Sequence, residues 1–174
     1  MNKRILLLSG GADVGKSALI KRLAMRVEED RRQGFFTESV YDGQQRIGFT
    51  VNSFNGESFL VAKTGYTTGV KLGRYGVDLN LLNKAMDRSI SEIKAESVCL
   101  IDELGKLECL SDYFCQCIEA LLVTPAVAVI SSPLRGAALL TRVVSHPDVL
   151  QMKVTENNIQ QVERIAEEWL RKIV

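Results

Sequence analysis

Short, unbroken apolar runs recur along the chain between stretches whose apolar residues return every third or fourth position, a rhythm that predicts buried strands alternating with amphipathic helices. Lys3 to Ser9 ends at Gly10-Gly11 and is followed by Lys16 to Glu29, where Ile20, Leu23, Ala24 and Val27 share one helical face. This reads as strand, tight loop, helix. Gln33 to Tyr41, Arg46 to Phe54 and Glu57 to Lys63 are rich in Phe, Val, Ile and Thr, and Asp42-Gly43 and Asn55-Gly56 separate them. Asp-Gly and Asn-Gly supply the positive φ of tight hairpin turns, so an antiparallel meander is predicted here. Thr64 to Val77, punctuated by Gly65, Gly69, Gly73 and Gly76, reads as a loop, functional if long.

Asp78 is placed to cap a helix that turns Leu82, Ala85, Met86, Ile90 and Ile93 inward. Ser97 to Ile101 and Ala126 to Ser131 are apolar strands, Val149 to Val154 a further one, and Asp112 to Val123 is helical. A last helix begins near Thr155-Glu156 and buries Ile159, Val162, Ile165, Ala166, Trp169 and Ile173. The pattern is that of an α/β protein with a mainly parallel sheet and hairpins inserted early, one domain over residues 1–174.

Composition narrows the class. With 46% apolar and 25% charged residues in 174, the chain is globular, neither disordered nor low in complexity. A net charge of +1 with no basic stripe points away from nucleic acid. The apolar stretch from Ala120 to Ile130 is interrupted and too short to cross a bilayer, so no membrane partner is expected. Lys3 and Arg4 precede only a brief apolar run, which reads as a buried strand instead of a leader. Cys99, Cys109, Cys115 and Cys117 lack paired spacing, and His146 is the only histidine, which suits reduced thiols in a cytoplasmic protein and no structural zinc. Nothing calls for more than a monomer or a weak oligomer.

The chemistry sits where the first strand meets the first helix. Gly10-Gly11-Ala12-Asp13-Val14-Gly15-Lys16-Ser17 satisfies the Walker A pattern in the strand, loop and helix setting its mechanism requires. Such a loop wraps its N–H groups around phosphate oxygens, and the helix that follows adds its positive end. The nucleotide-binding segment is Gly10 through Ala18. Lys16 would reach the β and γ phosphates and Ser17 would ligate Mg²⁺. Val98 to Glu103 is an apolar strand ending in two carboxylates, the Walker B form. Asp102 would hold Mg²⁺ and Glu103 would orient the attacking water.

Taken with Gly34-Phe35-Phe36-Thr37-Glu38, Arg46-Ile47-Gly48-Phe49, Tyr75-Gly76-Val77, Asp102 to Glu108 and Thr155-Glu156-Asn157, the chain resembles the THEP1 family of small P-loop nucleoside triphosphatases over nearly its whole length. The resemblance implies a RecA-like three-layer α/β core and Mg²⁺-dependent hydrolysis of ATP, GTP and other nucleoside triphosphates to the diphosphate and phosphate, with loose base selectivity. The chain departs from the family pattern at Ala12 and Asp13, which stand for Pro-Gly, at Ala18, which stands for Thr, and at Asn158, which stands for Arg. A carboxylate at Asp13 repels polyphosphate, and the position calls for a backbone conformation that Asp tolerates better than most residues. Weak nucleotide binding is the expectation.

A further cation is needed beside Lys16 and Mg²⁺, with Arg74 in the Gly-rich segment the first candidate and Arg135 and Lys106 next; each is equally an ordinary solvated side chain. Phe35, Phe36, Tyr66 and Tyr75 are packing groups before they are base-stacking ones, and His146 suits a surface or helix-end role. Three other functions remain open. Clustered Arg135 to Arg142 fits the lid of a small-molecule or nucleotide kinase, Asp102-x-x-Gly105 fits a GTPase switch without its guanine-reading motif, and Asp13 fits a non-catalytic nucleotide-binding module.

Overall fold

A computed structural model describes residues 3–90 and 93–174. The chain runs β1 (Ile5–Gly10), α1 (Lys16–Ala24), β2 (Arg32–Asp42), β3 (Gln45–Ser53), β4 (Ser58–Lys63), β5 (Lys71–Leu72), β6 (Tyr75–Val77), α2 (Leu79–Ser89), β7 (Val98–Asp102), α3 (Asp112–Val123), β8 (Val127–Ser132), α4 (Ala138–Ser145), β9 (Val149–Val154) and α5 (Ile159–Ile173). One nine-stranded sheet joins them in the order β5-β6-β4-β3-β2-β7-β8-β1-β9. From β2 to β9 every pairing is parallel, and from β2 to β5 every pairing is antiparallel.

Helices cover both faces of the parallel half, which is why its strands read as continuous apolar runs. Ile5 and Leu7 pack toward Leu82, Phe114 and Leu139 of α2, α3 and α4. Leu6 and Leu8 pack toward Leu19, Leu23, Val162 and Ala166 of α1 and α5. Ile5 to Leu8 are fully buried. The layers are those of the expected sandwich, and β8 lies between the strand that leads into the phosphate-type loop and the strand that ends in Asp102, as in RecA-like folds.

The meander is reached through β2, whose two halves have different partners. Arg32 to Phe36 pair with β7, the last step being Phe36 with Asp102. From Thr37 onward β2 pairs with β3 alone, so the β2–β3 hairpin runs past the C-terminal ends of the parallel strands. In open α/β sheets this is the side on which ligands bind.

Several boundaries differ from expectation. Helix α1 stops at Ala24 instead of Glu29, with exposed Met25 as its C-cap, although Val27 still reaches the core. The Gly-rich 64–77 segment is not wholly loop: β5 and β6 form a hairpin, and β6 pairs with β4 through Ala62 and Val77. Helix α4 has no counterpart in the sequence pattern; it turns Leu139, Leu140 and Val143 inward. Helix α5 begins at Ile159 because Asn158 ties the preceding turn, accepting from the Thr155 N–H at 2.8 Å and donating to the Lys153 carbonyl at 2.9 Å. Its inward face is Val162, Ala166 and Leu170, while Ile165 is exposed. Ser91 and Glu92 lie outside the described residues, and Ile93 packs against the core as expected. No helix among the described residues is long and apolar enough to cross a membrane.

Candidate active site

Three parallel strands end side by side at a cleft of about 490 Å³. Strand β1 delivers the loop from Gly11 to Gly15, β7 delivers Asp102 and Glu103, and β8 delivers Ser131 and then Pro133 and Arg135. Parallel register does this: Leu8 pairs with Ser131, and Ile101 with Ile130. Polar residues can close these apolar strands because they fall just where the covering helices give way to the cleft.

In the loop, Asp13 has φ 59 and Gly15 has φ 95, the latter as N-cap of α1. The sequence expectation of a left-handed conformation at Asp13 is met. Lys16 is buried at 7% exposure, and its Nζ donates to the carbonyls of Gly10 at 3.0 Å and Gly11 at 2.6 Å. The same ammonium lies 3.9 Å from Glu103 Oε2. Ala12, Asp13 and Ser17 line the cleft beside it.

Asp102 is buried, and its Oδ1 accepts from the Ser131 hydroxyl at 2.6 Å. Burial raises the Glu103 carboxyl above its ordinary range, Lys16 pulls it back down, and the Asp102 charge adds to the rise. A second glutamate stands behind it. Glu108 is 3% exposed, and burial pushes its carboxyl up to about 7 against the lowering effect of hydrogen bonds, one of them from the Thr37 hydroxyl at 2.9 Å. The two carboxylates approach so closely around Gly105 that a Cβ there would sit 2.8 Å from Glu108 Oε2 and 3.1 Å from Glu103 Oε1.

The donor set suits a hard cation. An exposed hydroxyl at Ser17 and a carboxylate at Asp102 are what Mg²⁺ takes from a protein when phosphate oxygens and water complete its shell. Among the described residues no group of three or more His, Cys, Asp and Glu side chains could hold a metal ion. The four cysteines are unpaired, and Cys99 is buried.

Of the cation candidates, Arg135 and Lys106 line the cleft. Arg74 does not: it sits in the β5–β6 turn, its Nη2 donating to the Arg46 carbonyl at 2.6 Å and its guanidinium 5.2 Å from the Tyr75 ring. Arg142 ion-pairs with Glu119 of α3, so Arg135 and Arg142 do not form one cluster over the cleft. The aromatic residues pack as their ordinary reading has it, Phe35 edge-on to Phe114 at 5.8 Å and Phe49 edge-on to Tyr75 at 5.0 Å. His146 caps α4, its Nδ1 accepting from the Asp148 N–H.

Thr37, Phe49, Leu72, Glu108 and Ser131 complete the surroundings, and sequence reasoning assigned none of them. Ser131 had a signal, a polar pair closing an apolar strand as Asp102 does on the neighbouring one. Glu108 had one too, an acid set between Leu107 and Cys109-Leu110. Thr37, Phe49 and Leu72 reach the cleft only through the path of the meander.

A family model described as NTPase matches residues 5–167. The chain belongs to the NTPase family. Similar members are the nucleoside-triphosphatase THEP1 of Thermotoga maritima, 27% identical over 154 residues covering 88% of this chain and 87% of that one, and the human cancer-related nucleoside-triphosphatase, 29% identical over 171 residues covering 89% and 90%. The crystal structure of THEP1 from Aquifex aeolicus superposes with a TM-score of 0.83 at 25% identity, covering 95% of this chain and 98% of that one. The NTPase family assignment agrees with the THEP1 resemblance and with the order of strands around the cleft.

Proposed function

We propose that the protein hydrolyses nucleoside 5′-triphosphates, ATP and GTP among them, to the diphosphate and phosphate, with Mg²⁺ as cofactor. The observation that carries this reading is the meeting of Lys16 and Glu103, 3.9 Å apart at the mouth of one cleft with buried Asp102 beside them. The backbone N–H groups from Gly11 to Ser17 and the N-terminus of α1 bind the phosphates. Lys16, freed from the Gly10 and Gly11 carbonyls, follows the γ-phosphate and offsets charge as the terminal bond stretches.

Ser17 and Asp102 would hold Mg²⁺, which would supply positive charge to offset that of the phosphates and the leaving group. Glu103 accepts a hydrogen bond from the attacking water and lines it up with the bond to be broken. Its partial burial favours a proton-accepting carboxylate more basic than a surface one. Arg135 and Lys106 are exposed on the cleft wall, and either would offset charge on the transferring phosphoryl group. The free cysteines support a reducing, cytoplasmic setting.

The test is phosphate release with Mg²⁺ and a panel of ATP, GTP, CTP and UTP. Turnover of several nucleotides is expected, and Lys16→Ala and Glu103→Gln should each lower kcat by roughly 10²- to 10³-fold, with Glu103→Gln still binding nucleotide. Binding without any phosphate release, or release that survives both substitutions, would refute the assignment. Phosphate transfer only after a small acceptor is added would identify a kinase instead.

A further inference from the structure

Glu108 is a buried acid for which the hydrolytic reading has no task. It is 3% exposed, yet it borders the cleft together with Glu103 and Thr37. A leucine or a glutamine would fill the space without the cost of burying a carboxyl. Departures of this kind gather at functional sites.

The backbone that follows β7 brings the acid there. Leu104 and Leu107, three apart and both in the core, anchor one side of the segment, and the Leu104 N–H donates to the Ser131 carbonyl at 2.8 Å. The Cys109 N–H donates to the Gly105 carbonyl at 3.1 Å and closes a helical turn. Residues three apart in such a turn share a face, which sets Glu108 over Gly105.

Gly105 leaves that face open, and two glutamates fill it. A Cβ at this position would lie 2.8 Å from Glu108 Oε2, and 3.1 and 3.2 Å from Glu103 Oε1 and Cγ. The other oxygen of Glu108, Oε1, accepts from the Thr37 hydroxyl at 2.9 Å. Thr37 is the first residue of β2 beyond its pairing with β7, where Phe36 meets Asp102. The other oxygen of Glu103, Oε2, lies 3.9 Å from Lys16 Nζ. Glu103 therefore stands with Lys16 on one side and the Thr37–Glu108 pair on the other.

We propose that Glu108 is a positioning residue for the hydrolytic step: braced by Thr37, it confines Glu103 to the side of Gly105 from which that carboxylate meets both Lys16 and the attacking water. The inference rests on the hydrolytic reading above. Glu108 touches no reacting atom in it; its effect passes through Glu103 and falls on turnover, not on nucleotide affinity. Burial pushes the Glu108 carboxyl up to about 7, so the neutral acid is well populated near neutrality and glutamine is a fair replacement for it.

A double-substitution cycle tests it, with the rate of phosphate release from Mg²⁺ and ATP measured for wild type, Glu108→Ala, Glu103→Gln and the double variant. Glu108→Ala is expected to lower kcat about tenfold while Glu103 is present and less than about twofold once it is Gln. The dissociation constant of Mg²⁺ and β,γ-imido-ATP for Glu108→Ala should stay within about twofold of wild type. Glu108→Gln, which keeps the shape and still accepts from Thr37, should hold kcat within about threefold of wild type. Thr37→Val removes the brace and leaves the acid; it should lower kcat about threefold and show the same dependence on Glu103, which decides the matter if Glu108→Ala does not fold.

Equal losses in the two backgrounds would overturn the inference, because Glu108 would then act on the nucleotide or on the fold. So would an unchanged kcat, a loss carried by the dissociation constant, or a loss in Glu108→Gln as deep as in Glu108→Ala. All of these leave hydrolysis through Glu103 standing. A wild type that releases no phosphate, or a Glu103→Gln variant that releases it as fast, would overturn the hydrolytic reading and the inference with it.

Discussion

The parallel half of the sheet and the antiparallel half share β2 but solve different problems. In the parallel half, β7, β8 and β1 are sealed by helices on both faces, and their polar residues are confined to the strand ends. In the antiparallel half, α2 packs against β2, β3 and β4, while most positions of β2 and β3 remain exposed or half-buried. The sealed half holds Lys16, Asp102 and Glu103 together at the cleft, as the proposed chemistry at a phosphate would require. The open half contributes Thr37, Phe49 and Leu72 to the cleft lining.

The seam between them is where the comparison breaks most sharply. Gly34 of β2 has φ 120, and a Cβ there would lie 1.8 Å from the Leu100 carbonyl oxygen of β7. Backbone cannot move aside as a flexible side chain can. Gly34→Ala is expected to cost upward of about 3 kcal/mol in denaturant unfolding. Gly43, in the hairpin turn at φ 57 with nothing within 4 Å of where a Cβ would sit, is the control. Gly43→Ala should cost only about 1 kcal/mol. Similar losses at both positions would mean that the halves are not locked together at Gly34.

Glu108 probes the seam electrostatically, since a hydroxyl from β2 meets a carboxyl that follows β7. Its carboxyl is raised from 4.5 to about 7, so the folded chain binds the proton more tightly than the unfolded chain. That contribution is fully present below about pH 4.5 and is lost as pH rises through about 7. Glu108→Gln keeps the shape and removes the titration. Relative to the variant, wild type should lose about 2–3 kcal/mol between pH 4.5 and 8 in urea unfolding. Parallel stability curves for the two proteins would show that Glu108 is not held in its neutral form.

How much of this was legible follows the same division. The apolar runs at Ile5 to Leu8, Val98 to Ile101 and Val127 to Ile130 announce themselves because burial on both faces leaves no polar alternation to misread. Their ends carry the Walker residues, so the centre of the site could be read as well. Helix α4 escaped because eight residues after Arg135-Gly136 give too few turns for a helical period to stand out. Tyr75 to Val77 passed for loop because its strand character comes from β4, a partner outside the segment. Thr37 was invisible as a cleft residue, because the overrun of β2 beyond β7 is a property of pairing and not of composition.

The smallest effect separates the two halves by their arginines. Arg135 follows β8 and lines the cleft wall, whereas Arg74 rides on the β5–β6 turn and spends its guanidinium on the Arg46 carbonyl and the Tyr75 ring. A cation that stabilises charge in the transition state must be mounted where the phosphoryl group passes, and its loss should lower kcat with little change in nucleotide affinity. Arg135→Ala is therefore expected to lower kcat by about tenfold, roughly 1.4 kcal/mol, with the dissociation constant unchanged. Arg74→Ala should leave kcat within about twofold of wild type, since Arg74 does not line the cleft and its guanidinium is engaged by the Arg46 carbonyl and the Tyr75 ring. The reverse pattern, with Arg74 controlling kcat and Arg135 silent, would require the β5–β6 hairpin to swing over the cleft during turnover and would move catalytic charge from the sealed half of the sheet to the open one.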